Sequence, residues 1–177
     1  MHRLFVAVRP PEDIIDLLVD AMDDSPALRW VPPDNLHLTL RFIGEVQRPQ
    51  AEDIARALGR IRADRFTVRL AGAGAFEQRG GGAVWAGLEP KAPVGALAAK
   101  VDRACQAAGC EPERRAFHPH VTIARYGRSA KRDAPSFVRR TVALASPPFE
   151  VTEFTLFESR LSRHGAHYDA VANFPLT

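Results

Sequence analysis

The chain has 177 residues, 46% of them hydrophobic, and a formal charge of +3. That length suits one domain or two tightly packed lobes, and the apolar content excludes a disordered chain. A charge this small excludes the strongly basic balance of a duplex-coating protein and fits a small anionic substrate or the end of an RNA strand.

Residues 3–8 are apolar and β-branched and stop at Pro10-Pro11, which predicts a strand. A helix is predicted over 11–23, with Pro11, Glu12 and Asp13 suited to its first turn and Ile14, Ile15, Leu17, Leu18 and Met22 on its buried side. Residues 28–33 are held extended by Pro32-Pro33. Residues 36–43 alternate: Leu36, Leu38, Leu40 and Phe42 fall on one side, and His37, Thr39 and Arg41 on the other, with Gly44 closing the strand. A second helix is expected over 49–62, and strands over 66–70 and 74–78. Gly80-Gly81-Gly82 reads as a flexible turn into a strand over 83–88, and an Ala-rich helix follows over 93–108. Another alternating strand spans 117–125. The basic residues Arg125, Arg128, Lys131 and Arg132 come next, then a short helix over 135–145. The remainder reads as a strand over 149–157, a polar turn over 159–167 and a last strand over 168–174. Strands and helices mix without strict alternation, so an α+β fold with largely antiparallel sheet is expected.

The start of the chain runs directly into strand pattern, without the layout of a signal peptide. No apolar run approaches the roughly 20 residues needed to span a bilayer. A soluble, cytoplasmic protein is expected, and a monomer in the absence of a coiled-coil pattern. Cys105 and Cys110, five positions apart in or beside the third helix, are expected on different faces and as reduced thiols.

The two histidine strands match each other. His37-Leu38-Thr39-Leu40 and His120-Val121-Thr122-Ile123 agree at every position by residue type. A period of two puts the His and Thr of each strand on one face and the apolar residues on the other. A histidine near its ordinary pKa of about 6.5 accepts or donates a proton at neutral pH. A neighbouring Thr hydroxyl can donate a hydrogen bond to a phosphate oxygen. Two such strands facing one cleft would supply one imidazole to activate water and another to protonate a leaving oxygen, with no metal. One His-x-Thr in a strand carries little weight, because Thr is common in strands; the doubling carries the inference. The copies stand roughly half a chain apart, which suggests two related halves about a pseudo-two-fold axis.

These residues resemble a known family. The stretch from Arg29-Trp30-Val31 through His37-Leu38-Thr39-Leu40 to Phe42-Ile43-Gly44 is similar to the first motif of the two-histidine (2H) phosphoesterases. More narrowly, it is similar to that of the bacterial and archaeal RNA 2′,3′-cyclic phosphodiesterases, also called 2′-5′ RNA ligases. Phe117-His118-Pro119-His120-Val121-Thr122-Ile123-Ala124-Arg125 resembles the second motif, and the stretches Arg3–Val8 and Phe157–Tyr168 resemble that group too. The resemblance implies one domain over 1–177 made of two pseudo-symmetric lobes, helices outside and a catalytic cleft between. It implies metal-independent hydrolysis of a 2′,3′-cyclic phosphate on an RNA end to a 2′-phosphate. His37 would be the proton donor to the 3′ oxygen and His120 the acceptor that activates water, with Thr39, Thr122 and Arg125 on the phosphate. No cofactor and no metal are implied.

Arg125 lies five residues after His120, so a regular strand would turn it away, and a bulge or strand end near Ala124 is needed to bring it back. Arg41 lies four residues after His37 and shares its face in a regular strand. It is therefore a second candidate phosphate ligand, against the reading of a solvated or ion-paired residue. His118-Pro119-His120 has too few partners by spacing for a metal site. His164 and His167 read as solvated, and Tyr168, Phe5, Phe42 and Trp30 as core; stacking on a nucleobase is the other use for an aromatic near such a cleft. Two other functions remain open: 2′-5′ RNA ligation at the same site, with a 5′-hydroxyl in place of water, and a non-catalytic RNA- or nucleotide-binding module.

Overall fold

The computed structural model describes residues 1–177. Nine strands are β1 (His2–Val8), β2 (Arg29–Trp30), β3 (Leu38–Val46), β4 (Phe66–Gln78), β5 (Gly81–Glu89), β6 (His120–Gly127), β7 (Phe149–Val151), β8 (Glu153–Ser162) and β9 (Gly165–Pro175). Four helices are α1 (Glu12–Ala21), α2 (Arg48–Leu58), α3 (Lys91–Ala107) and α4 (Asp133–Thr141). The strands form one sheet in the order β7-β4-β5-β6-β3-β1-β8-β9, with β2 paired to β6, and every pairing is antiparallel. The expected α+β class with antiparallel sheet is the fold observed.

The strand order is symmetric about its centre. β6 and β3 meet through a single pair, Leu38 opposite Val121, and each half then runs outward through three further strands, β5, β4 and the short β7 on one side and β1, β8 and β9 on the other. One face of the sheet carries Val6, Leu38, Leu40, Val84, Ala86, Val121 and Ile123, which join Ile14, Leu18, Ile54, Leu97 and Val101 of the helices in a core cluster of 35 buried residues. The helices therefore cover this face. Each has apolar residues at three- and four-residue spacing, as on α1 with Ile14, Ile15 and Leu18. Phe5, Ala7 and Ala83 are buried but lie outside that cluster, on the opposite face of the sheet.

Local chemistry moves several boundaries. The expected strands 66–70 and 74–78 are one strand, β4, interrupted only by a bulge between Leu70 and Ala73. The expected strand 149–157 is two: β7 pairs with β4 in one half, and after Thr152 the chain enters β8 and pairs with β1 in the other. The expected polar turn 159–167 is mostly strand, because β8 and β9 remain paired from Glu153–Pro175 out to Ser162–Gly165. Gly80-Gly81-Gly82 is not a flexible turn throughout. Gly81 and Gly82 belong to β5, where a Cβ on Gly81 would stand 1.9 Å from the Tyr126 carbonyl oxygen. Glycine there permits the close approach of β5 to β6.

The cysteines also differ from expectation. Helix α3 ends at Ala107, and Gly109 takes a φ of +89°, so the chain doubles back and the Cys110 N–H donates to the Cys105 carbonyl at 3.0 Å. This helix-end reversal brings Cys110 back to the face that carries Cys105. Burial pushes the Cys105 thiol up to about 12, and raises Cys110 as well, so both stay protonated and unreactive at neutral pH.

Candidate active site

Leu38 and Val121 both point into the helix-covered core, so their strand neighbours point to the opposite face. Those neighbours are His37 and Thr39 on one strand and His120 and Thr122 on the other. Continuing the antiparallel register by one residue each way sets His37 beside Thr122 and Thr39 beside His120. The four side chains thus surround one strand pair, with the pseudo-two-fold axis passing through it. The structure brings together the quartet singled out in the sequence.

Both imidazoles are held in the same way. His37 Nδ1 lies 2.6 Å from the Asn35 carbonyl oxygen, and His120 Nδ1 lies 2.6 Å from the His118 carbonyl oxygen. A carbonyl only accepts, so each Nδ1 carries the hydrogen, which leaves Nε2 as the free nitrogen of each ring. Each ring also rests against aromatic neighbours. Phe5 and Tyr168 contact His37 at centroid distances of 5.0 and 5.4 Å, and Phe76 contacts His120 at 5.0 Å with Trp85 further out at 6.3 Å. Asn35 is held in turn by its side-chain amide, which donates to the Ala166 carbonyl at 2.9 Å. Sequence reading missed these carbonyl acceptors; their only trace was the pair of residues two positions before each histidine. It also placed Tyr168 in the core, whereas the ring stands edge-on to His37.

Burial lowers the pKa of His37 most; the Asn35 carbonyl opposes it, and the charges of Arg125, His120 and Arg9 push it down further. Burial also lowers His120, the His118 carbonyl opposes, and the His118 and Arg125 charges add to the lowering. The field of Arg125 therefore acts on both rings.

Two bulges decide where the arginines point. Across β5 and β6, Thr122 faces Trp85, Ala124 faces Val84 and Arg125 faces Ala83, so Ile123 is an extra residue on β6. Ile123 and Ala124 both sink into the core, and Arg125 emerges exposed on the face of Thr122. The bulge that Arg125 required is present. Across β1 and β3, Thr39 faces Ala7, Arg41 faces Val6 and Phe42 faces Phe5, so Leu40 is the extra residue on β3. Both bulges fall on the third residue after the histidine.

The second bulge overturns the reading of Arg41 as a phosphate ligand. Leu40 and Arg41 both turn to the helix side, and Arg41 is only 7% exposed. Its guanidinium donates to the Asp102 carboxylate and to the Glu111 carbonyl, fastening β3 to the end of α3. Phe42 takes the histidine face instead. Of the other basic residues after β6, Arg128 donates to the Arg79 carbonyl and Arg140 pairs with Asp23. His118 is exposed at the entry to β6, and His167 pairs with Asp169 at 3.0 Å.

Comparison with known proteins is consistent along the whole chain. Residues 10–163 match the model of the 2′-5′ RNA ligase superfamily. An RNA 2′,3′-cyclic phosphodiesterase of Aeropyrum pernix is 36% identical over 80% of this chain and 82% of its own. The enzyme of that name in Escherichia coli K12 is 34% identical over 99% of this chain and 97% of its own. A crystal structure of E. coli LigT complexed with 3′-AMP superposes with a TM-score of 0.80 at 31% identity, covering 99% of this chain and 98% of that one.

Proposed function

Because the chain belongs to the 2′-5′ RNA ligase superfamily, we propose that it hydrolyses the 2′,3′-cyclic phosphate of an RNA end to a 2′-phosphate, with His37 and His120 as acid and base. One observation carries this reading: two imidazoles, each with Nδ1 tied to a carbonyl, flank a single strand pair from opposite sides. Relatives that share most of their length with this chain are RNA 2′,3′-cyclic phosphodiesterases, which supports the substrate class. LigT, whose structure is a complex with 3′-AMP, supports a nucleotide ligand.

The chemistry is an in-line displacement at phosphorus. Water attacks the phosphorus and gives its proton to His120 Nε2, while the bond from phosphorus to the 3′ oxygen breaks. That oxygen leaves with the proton from His37 Nε2. His37 ends neutral and His120 protonated, and exchange with solvent resets both. Hydroxyls of Thr39 and Thr122 donate to the non-bridging oxygens, and Arg125 adds positive charge on the same face. Each proton transfer contributes about 10²–10⁴-fold in rate. The direction given, with His37 as donor and His120 as acceptor, follows the family pattern that the two motifs resemble. In the same site, a 5′-hydroxyl in place of water would join two RNA strands through a 2′-5′ bond, the reaction in the superfamily's name.

The test is hydrolysis of a short RNA ending in a 2′,3′-cyclic phosphate, in EDTA, with the product phosphate located by ³¹P NMR. The wild type is expected to yield the 2′-phosphate, and His37→Ala and His120→Ala each to lose about 10²-fold or more. Full activity in either variant, or none in the wild type once EDTA is added, would overturn the reading.

A further inference from the structure

Strand β2 has two residues, and β6 places both. Trp30 stands opposite Ala124, and Arg29 opposite Arg125. Ala124 is buried in the core and the Trp30 ring packs against Phe137 at 5.0 Å, so this pair faces the helices. Arg29 and Arg125 therefore share the histidine face, and directly opposite residues have Cβ atoms about 5 Å apart.

Both arginines are exposed, and neither guanidinium has a carboxylate partner. Elsewhere in the sheet Arg69 on β4 pairs with Glu89, and Arg160 on β8 pairs with Asp169. No acid is near at hand on this face. The row of Arg125 continues with Ala83 and Phe76, and the next row on the same face ends at Gln78. Glu77 belongs to the row of the buried Tyr126, on the opposite face. Like charges directly opposite each other on neighbouring strands are destabilising, and an anion set against them removes that repulsion.

The charge of Arg125 acts on His120 and that of Arg29 does not, so the Arg29 guanidinium lies further from the reacting phosphate. A cyclic phosphate carries one negative charge. The next phosphate of an RNA chain, the phosphodiester on the 5′ side of the terminal nucleotide, carries a second. Two cations side by side match two such anions. Arg125 is three residues beyond Thr122, about 10 Å of strand at most, and a neighbouring nucleotide spans that gap once the arginine side chains extend toward it.

We propose that Arg29 binds the phosphodiester on the 5′ side of the terminal nucleotide, beside Arg125, which serves the cyclic phosphate itself. The proposal rests on the reading of the site as an RNA cyclic phosphodiesterase. A guanidinium meets phosphate oxygens through a planar fork of N–H donors and reads no base. The contact therefore accepts any sequence, and it distinguishes the end of an RNA chain from a free cyclic nucleotide.

The experiment compares substrates with and without that second charge. Three are turned over by wild type, Arg29→Ala and Arg29→Lys: adenosine 2′,3′-cyclic phosphate, the diadenosine dinucleotide ending in a 2′,3′-cyclic phosphate, and the same dinucleotide with an uncharged methylphosphonate linkage. Arg29→Ala is expected to raise KM about tenfold for the charged dinucleotide, the worth of one charged hydrogen bond. The mononucleotide should change by less than about twofold, and Arg29→Lys should recover part of the loss. Wild type should lose a similar factor on the methylphosphonate, where Arg29→Ala should lose nothing further. For the charged dinucleotide, the slope of log KM against log salt should fall by about 0.7 in Arg29→Ala. The urea midpoint of that variant should stay level or rise, because Arg125 loses a like-charged neighbour. Equal KM increases on mononucleotide and dinucleotide, an unchanged KM on the dinucleotide, or a full loss on the methylphosphonate would overturn the proposal. If the wild type opens none of the three, the function assigned above fails. Calorimetry of the dinucleotide and mononucleotide 2′-phosphates then decides the role of Arg29 by the same comparison.

Discussion

Arg41 and Arg125 stand on equivalent strands, and replacing each separates stability from activity. Arg41 is buried against Asp102, so Arg41→Ala leaves a carboxylate without its partner. Breaking a buried pair costs about 3–5 kcal/mol, and the 23% exposure of Asp102 puts this case near 3 kcal/mol. Urea unfolding should show that loss, while the folded variant keeps its KM. Arg125→Ala should do the reverse, with stability changed by less than about 0.5 kcal/mol. Its kcat/KM should fall by about 10- to 100-fold, the worth of a charged hydrogen bond to phosphate. The histidines add a pH dependence. Their folded pKa values lie below the ordinary 6.5, so between those values and 6.5 the unfolded chain binds more protons. Stability therefore falls as pH drops through that window and levels off below it. Asp23 and Glu113 are lowered from 3.8 and 4.5, so their loss of stability begins only at more acid pH. The melting temperature should fall between about pH 7.5 and 5, and do so less in a His37→Gln/His120→Gln variant. An equal slope in both would contradict this origin. The His/Thr quartet was legible in the sequence because residue type and a period of two carry it. The carbonyl acceptors and the burial of Arg41 were not, because neither has a side-chain signature in the histidine motif itself.

At the scale of elements, the bulges on β3 and β6 set the site more than strand boundaries do. An alternating pattern assumes an unbroken pleat, and one extra residue inverts every face beyond it. In β6 the adjacent apolar pair Ile123-Ala124 hints at this inversion. In β3 the equivalent pair is Leu40-Arg41, and the polar head of Arg41 hides the signal. The glycines of β5 were similarly opaque, since a strand glycine beneath Tyr126 and a turn glycine look alike in one sequence. Gly81→Ala tests that packing. A Cβ would meet the Tyr126 carbonyl at 1.9 Å, and the φ of +143° is unfavourable to any side chain. The combined overpacking and backbone strain should cost about 3 kcal/mol in urea unfolding. A change below about 0.5 kcal/mol would show that β5 has room to move.

For the molecule as a whole, the strands form one continuous sheet, symmetric in strand order about the Leu38–Val121 pair. The order itself was beyond the sequence, because an interruption of the strand at Thr152 sends β7 to one half and β8 to the other. Such long-range pairing leaves no local pattern to read. The symmetry gives each imidazole the same tether, and burial lowers both pKa values. The central claim is that these two rings exchange protons with one phosphate. The direct measurement is the pH dependence of kcat/KM on an RNA 2′,3′-cyclic phosphate, which reports the free enzyme's acid and base. A bell with its maximum on the acid side of pH 6.5 is expected, with the alkaline limb lost in His37→Ala and the acid limb lost in His120→Ala. A flat wild-type profile between about pH 4.5 and 8, or both limbs intact in either variant, would contradict it.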